Sequence, residues 1–223
     1  CSVGHSHPKV VKAIKDQADK FIHYSYTDFF YDDYVNLGEK LHDLVPGSHR
    51  KKFFYGNSGA ESVEAAMKVA RWHTGRQGYL AYIGSFHGRT MGAVSLTASK
   101  PYQRARFAPL IPGVEHIFYP YCYRCPFNLE CPSCGYACVD YIDEYLFHRY
   151  VPPDEVAMLI AEPIQGEGGY IVPPDGYFKR LKKLLDEYGI LFASDEVQAG
   201  IGRTGKWFGI EHYDVVPDIV CMA

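Results

Sequence analysis

Two adjacent acids, Asp195 and Glu196, close the short apolar run Leu191-Phe192-Ala193-Ser194, and the glycine-rich stretch Ala199-Gly200-Ile201-Gly202-Arg203-Thr204-Gly205 follows them. The run has the length of one buried strand, and the glycines disfavour its continuation. Asp195 then stands at the carboxyl end of a parallel strand, the rim at which open α/β sheets bind ligands. A carboxylate taken out of water at that rim needs a cationic partner, because alone it either carries a large desolvation cost or takes up a proton. A protonated heteroaromatic nitrogen would serve, and a ring held protonated is a sink for carbanion electrons. An acidic turn with no ligand fits the same residues.

Three further segments repeat the pattern. Lys52-Phe53-Phe54-Tyr55 reads as a strand running into Gly56-Asn57-Ser58-Gly59-Ala60-Glu61, then a helix with Val63, Ala66, Met67 and Ala70 on its apolar face. Free N–H groups at a helix start, with glycine admitting close approach, make an anion site; a Ser or Asn cap without a ligand is the plainer alternative. Residues 79–83 form a strand ending in Gly84-Ser85-Phe86-His87-Gly88-Arg89-Thr90. Phe86 could stack on a flat ring and Arg89 could fork onto a carboxylate, although ordinary loop residues look the same. Residues 156–161 form a strand that delivers Glu162-Pro163-Ile164-Gln165-Gly166-Glu167-Gly168-Gly169. Four strand ends behaving alike are harder to ascribe to chance than any one. A helix over 177–187 returns to the Asp195 strand and completes a strand–helix–strand unit.

The elements that must carry these ends are legible around them. Gly4-His5-Ser6-His7-Pro8 is a turn feeding a helix marked by Val10, Val11, Ile14, Ala18 and Phe21. The two histidines there fit a polar turn better than a metal site. The aromatic segment 21–31 either lines a substrate entrance or packs as a covering loop. A second helix carries Tyr34, Leu37, Leu41 and Leu44 and stops at Val45-Pro46-Gly47; residues 114–118 and Ile219-Val220 are strand-like. The expected fold is α/β, a mostly parallel sheet flanked by helices. Over 223 residues the net charge is −3, which leaves no electrostatic footprint for nucleic acid or an anionic membrane. No apolar run is long enough to cross a bilayer and no signal peptide is evident, so a cytoplasmic protein is expected. The ends, Cys1-Ser2-Val3-Gly4 and Cys221-Met222-Ala223, read as cut, as though the chain were an internal piece.

Asn57-Ser58-Gly59-Ala60-Glu61, Phe86-His87-Gly88-Arg89-Thr90, the run from Glu162 to Gly169, Asp195-Glu196-Val197-Gln198 and Gly200-x-Gly202-Arg203-Thr204-Gly205 occur in this order over nearly the whole chain. The combination resembles the class III pyridoxal-phosphate-dependent aminotransferases of fold type I, which include 4-aminobutyrate, ornithine and acetylornithine aminotransferases. Gly4-His5-Ser6-His7-Pro8 and Tyr24-Ser25-Tyr26 are most similar to the 4-aminobutyrate branch. The resemblance implies pyridoxal 5'-phosphate as cofactor, with Ser58, Gly59 and Ala60 at its phosphate. Phe86 and Val197 would lie on the two faces of its ring, with His87 beside it. Asp195 would pair with the ring nitrogen, Gln198 would neighbour the phenolic oxygen, and Glu162 would belong to the network behind. Asp195 and Glu162 are the expected catalytic residues, and Arg89 and Glu167 the substrate-binding ones, Arg89 for a carboxylate and Glu167 as a gate. The implied reaction is transamination of an ω-amino acid with a 2-oxo acid such as 2-oxoglutarate; the alternatives are an amino-acid racemase or aminomutase on the same scaffold, or an acetylornithine or ornithine aminotransferase. A homodimer or dimer of dimers is the implied assembly. Residues 1–50 would be a helical and aromatic lead-in, and 51–223 an incomplete large domain ending just before the lysine that holds the cofactor covalently.

One feature stands outside the resemblance: Cys122-x2-Cys125-x5-Cys131-x2-Cys134, with Cys138 close behind. Paired Cys-x2-Cys motifs suggest zinc or an iron–sulfur cluster, yet the separation between the pairs is shorter than in common zinc ribbons. Disulfides are a second reading, and free thiols packed against aromatics a third. We expect no metal in the catalytic site.

Overall fold

The computed structural model describes residues 3–223; the reading of a cut end at Cys1-Ser2 lies outside the described residues. It divides into two compact units, Cys1–Phe53 and Phe54–Ala223.

The first unit holds two helices, α1 (Pro8–Ala18) and α2 (Asp32–Leu44). Pro8 occupies the first turn of α1, where its missing N–H costs nothing, and the His7 side chain accepts from Lys9 N. His7 thus caps a helix, in keeping with a polar turn. Phe21, expected on the apolar face of α1, lies beyond its end at Ala18, and its ring packs edge-on against Tyr31 with centroids 5.3 Å apart. The aromatic segment largely packs on itself, Tyr24 against Phe29 and Tyr26 stacked on Tyr34.

The second unit is built on a wholly parallel five-stranded sheet of order β2-β1-β3-β4-β5. Its elements run α3 (Gly59–Thr74), β1 (Gly78–Tyr82), α4 (Met91–Leu96), β2 (Val114–Ile117), α5 (Ala137–Asp140), β3 (Val156–Ala161), α6 (Tyr177–Tyr188), β4 (Leu191–Asp195) and β5 (Ile219–Cys221). The strand expected at residues 52–55 is not formed: no strand of the described residues pairs with it, and Phe54 is 68% exposed. An apolar run without a neighbouring ladder has nothing to hold it as a strand. The remaining expected strands are present to within a residue or so at their ends.

Packing follows the sequence periodicities. α3 lays Val63, Ala66, Met67 and Ala70 against the sheet, in a core cluster with Ala93 and Leu96 of α4 and with Met158, Ile160 and Ala193 of the strands. α6 contributes Tyr177, Phe178, Leu181 and Leu185, all buried, with the Phe178 ring 5.7 Å from that of Phe192 on β4. With helices on both sides, β3 is buried at all six residues and so carries no polar alternation. Among the described residues no helix is long and apolar enough to cross a membrane.

The strand order fixes where a ligand can enter. The chain leaves β1 toward β2 on one side and later returns beside β1 as β3, so connections diverge between β1 and β3. A crevice opens outside the carboxyl ends of strands at such a point. The segments that follow β1 and β3 are those of Phe86–Arg89 and Glu162–Gly169.

Candidate functional site

Four loop segments meet above the sheet, and hydrogen bonds tie them together. His87 Nδ1 lies 2.7 Å from Asp195 Oδ2, joining the loop after β1 to the end of β4 across a separation of 108 residues. Asp195 Oδ1 accepts from Val197 N at 3.0 Å, which turns the chain sharply after the strand. Glu162, at the end of β3, accepts from Phe86 N through Oε1 and from Gly166 N through Oε2, both at 2.9 Å. His87, Glu162 and Asp195 are only 3%, 4% and 3% exposed, so this is a buried layer of ionisable side chains beneath a more open rim. The His87 backbone N–H donates to Thr97 Oγ1, which fixes the loop that presents Phe86.

Close packing of small residues brings the helix start to the same place. A Cβ at Gly59 would lie 2.8 Å from Cγ2 of Val197, and one at Gly88 would lie 2.8 Å from Cβ of Ala60. Gly88 also has φ +125°, where a side chain is strained. These two glycines let the first turn of α3 touch both the β4 end and the β1 loop. Ser58 caps α3 by accepting from Glu61 N, so its hydroxyl serves the helix; the N–H groups of Gly59 and Ala60 belong to a first turn that has no carbonyl four residues back. Glu64 on α3 accepts from Thr90 Oγ1 and from Gly92 N and Ala93 N, anchoring the Arg89 segment over α4.

Phe86 is half-buried, and Arg89 is exposed with its guanidinium carbon 5.9 Å from the Phe86 ring centroid. Val197 and Gln198 are exposed, and Gln198 packs directly over Gly166. Glu167 points outward and pairs with Lys100 at 2.6 Å. The expected site residues on the strand-end loops therefore gather at one rim, whereas Ser58 is engaged as a cap and Glu167 already has a partner. The arrangement suits a flat anionic cofactor. Helix N–H groups offer an anion site, Phe86 a stacking surface, and each Asp195 oxygen accepts one internal bond and retains a lone pair. His87 Nε2 is buried without a hydrogen-bond partner, a polar atom available to the site or to water.

The two adjacent acids separate cleanly. Glu196 turns away from Asp195: Oε1 accepts from Ser194 Oγ and Ile210 N, and Oε2 from Gly209 N, so it pins the start of the turn Gly209–Tyr213. Burial pushes its carboxyl above the ordinary range, and the backbone donors pull it part of the way back. The sequence reading gave neither this role nor the His87–Asp195 and Glu64–Thr90 contacts. Only Glu64, the sixth residue of α3, and the two acids at a strand end hinted at them.

Burial also raises Glu162 to about 7, a shift that His87 and the two backbone donors oppose. The sign follows from linkage: a carboxyl whose folded pKa lies above its unfolded value makes the folded state hold the extra proton, so stability falls as pH rises through that window. The stability difference between the wild type and Glu162→Gln should therefore shrink by up to about 3 kcal/mol between roughly pH 5 and pH 8, measured by denaturant unfolding at each pH. A difference independent of pH would contradict it.

The family model described as "Aminotransferase class-III" matches residues 1–223. The chain is 48% identical over 222 residues to the leucine/methionine racemase of Thermococcus litoralis, covering 100% of this chain and 49% of that protein. It is 43% identical over 223 residues to the probable 4-aminobutyrate aminotransferase of Bacillus subtilis, covering 100% of this chain and 51% of that protein. Among solved structures, the taurine:2-oxoglutarate aminotransferase from Bifidobacterium kashiwanohense, in complex with PLP and glutamate, aligns with a TM-score of 0.88 at 34% identity, covering 99% of this chain and 49% of that one. The chain thus spans about half the length of the curated relatives it matches. On this match along its whole length, the chain belongs to the class-III aminotransferases, a family of pyridoxal-phosphate-dependent enzymes.

Proposed function

We propose that the full-length protein transfers the amino group of an ω-amino acid of the 4-aminobutyrate type to a 2-oxo acid such as 2-oxoglutarate, as a cytoplasmic homodimer or dimer of dimers. The observation that carries the substrate class is Arg89, an exposed guanidinium 5.9 Å from the Phe86 ring centroid. It offers a planar two-pronged receptor for a carboxylate one side chain away from the ring-stacking surface.

The residues divide the work as follows. Gly59 N–H and Ala60 N–H would hold the phosphate at the positive end of α3, with Ser58 keeping that end ordered. Phe86 and Val197 would flank the ring, with Gln198 near its phenolic oxygen. When bound, pyridoxal phosphate would supply a reactive carbonyl and a ring able to accept carbanion electrons. Asp195 would keep a proton on the ring nitrogen, with His87 Nδ1 holding the carboxylate in place. Glu162 fixes Phe86 and Gly166 through their N–H groups, so it positions the stacking ring relative to the acid. Glu167, held by Lys100, borders the entrance on the glycine turn and contributes to choosing between substrates.

Arg89→Lys tests the substrate class. It keeps the charge and loses the fork, so kcat/KM for 4-aminobutyrate should fall at least roughly tenfold more than for an uncharged amine of similar length. Equal losses on both would remove Arg89 from substrate recognition. A second reading, racemisation of an amino acid, is favoured by the 48% identity to a leucine/methionine racemase. Product analysis separates them: transamination consumes the 2-oxo acid in step with the amine, whereas racemisation leaves it untouched.

A further inference from the structure

Between β2 and β3 the chain makes an excursion that the catalytic layer does not use. Cys122, Cys125, Cys131, Cys134 and Cys138 all line one cavity there, together with apolar neighbours such as Phe127. The five thiols are unlinked, and no carboxylate or imidazole of the described residues lines the cavity. The segment has little regular structure: one turn of 3-10 helix at Cys122–Arg124 and isolated backbone bonds such as Asn128 N to Cys125 O and Cys134 N to Glu130 O. Its aromatic support is Phe127 against Phe118 and Tyr141. Segments of this kind need a staple if they are to hold one conformation.

Cys122 and Cys131 belong to different Cys-x2-Cys pairs, and both pairs line the same cavity, which is where the staple would close. Sulfurs gathered around one cavity are stabilised as thiolates by a cation placed among them, which displaces their protons to solvent. The cavity, about 20 Å³, has room for a single ion rather than a cluster containing inorganic sulfide.

We infer that the two Cys-x2-Cys pairs, Cys122 with Cys125 and Cys131 with Cys134, form a structural site for one thiophilic divalent ion of the zinc type, with Cys138 outside the ligand set. Among the described residues no group of three His, Cys, Asp or Glu side chains is already arranged around a point, so closure requires the thiols to turn about their single side-chain torsion. Cys122, which is exposed, gives the ion a way in. None of the residues assigned to the reaction lines this cavity, and its role is to order the excursion.

The test uses untagged full-length protein produced in zinc-supplemented medium and purified without chelator. Elemental analysis should find about one zinc per chain, and cobalt substitution should give intense thiolate-to-metal charge-transfer bands. Cys125→Ser and Cys134→Ser should each abolish these, and Cys138→Ser should leave them. In case those variants do not fold, the wild type serves alone: after metal stripping, added zinc should suppress alkylation of Cys122, Cys125, Cys131 and Cys134, mapped by mass spectrometry. Absence of metal with unchanged alkylation, metal retained when both pairs are replaced by serine, or disulfides found among these cysteines in freshly purified protein would each overturn the inference.

Discussion

Replacing Asp195 with Ala in the full-length protein is expected to cut turnover by at least about three orders of magnitude, roughly 4 kcal/mol of barrier, while leaving the protein folded. The loss is large because, among the described residues, Asp195 is the carboxyl group at the end of β4 that faces the rim. Its neighbour Glu196 is turned to Gly209 and Ile210 and cannot substitute. On the proposed role, loss of Asp195 would leave the ring nitrogen with no anion to hold its proton and would weaken the electron sink. Stability should change little by comparison. Removal frees one imidazole nitrogen and one backbone N–H, but it also takes a negative charge away from the buried Glu162. Steady-state kinetics together with thermal melting checks both halves. Near-normal turnover would refute the assignment of Asp195.

Glu196→Ala should do the reverse at the adjacent position. Glu196 is 1% exposed and satisfies Gly209 N, Ile210 N and Ser194 Oγ. Truncation strands two buried backbone donors and leaves a cavity, with an expected loss of about 3–5 kcal/mol, read from the denaturant midpoint. A ligand-side role would instead show as lost turnover at unchanged stability. The same test has a milder form in Glu196→Gln, which keeps one acceptor and presents an NH2 group to a donor, so it should fall between the two.

Much of this is legible in the sequence. Short apolar runs ending in acids, glycines or aromatics identified β1, β3 and β4 and the rim they share, because a strand buried on both faces has no reason to be polar until it leaves the sheet. The apolar stripe Val63, Ala66, Met67 and Ala70 is the buried face of α3. What escaped was pairing between segments far apart. His87 meets Asp195 only because β1 and β4 flank β3 in the sheet, an order that no local pattern encodes. Asp195 and Glu196 look equivalent in sequence, yet successive side chains leaving a strand point to opposite sides, so one faces the rim and the other the packed turn. Residues 52–55 failed for a related reason. Their apolar, aromatic composition suits a strand, but a strand is a property of two segments, and the described residues supply no neighbour.

On the proposed function, Asp195 would set the protonation of a bound cofactor ring. The most direct measurement is the nitrogen-15 chemical shift of ring-labelled pyridoxal phosphate bound to the full-length protein, in the wild type and in Asp195→Asn. A shift characteristic of a protonated ring nitrogen in the wild type, moving to the unprotonated value in the variant, is the expected result. An unprotonated nitrogen in the wild type, or a shift indifferent to the substitution, would contradict the account.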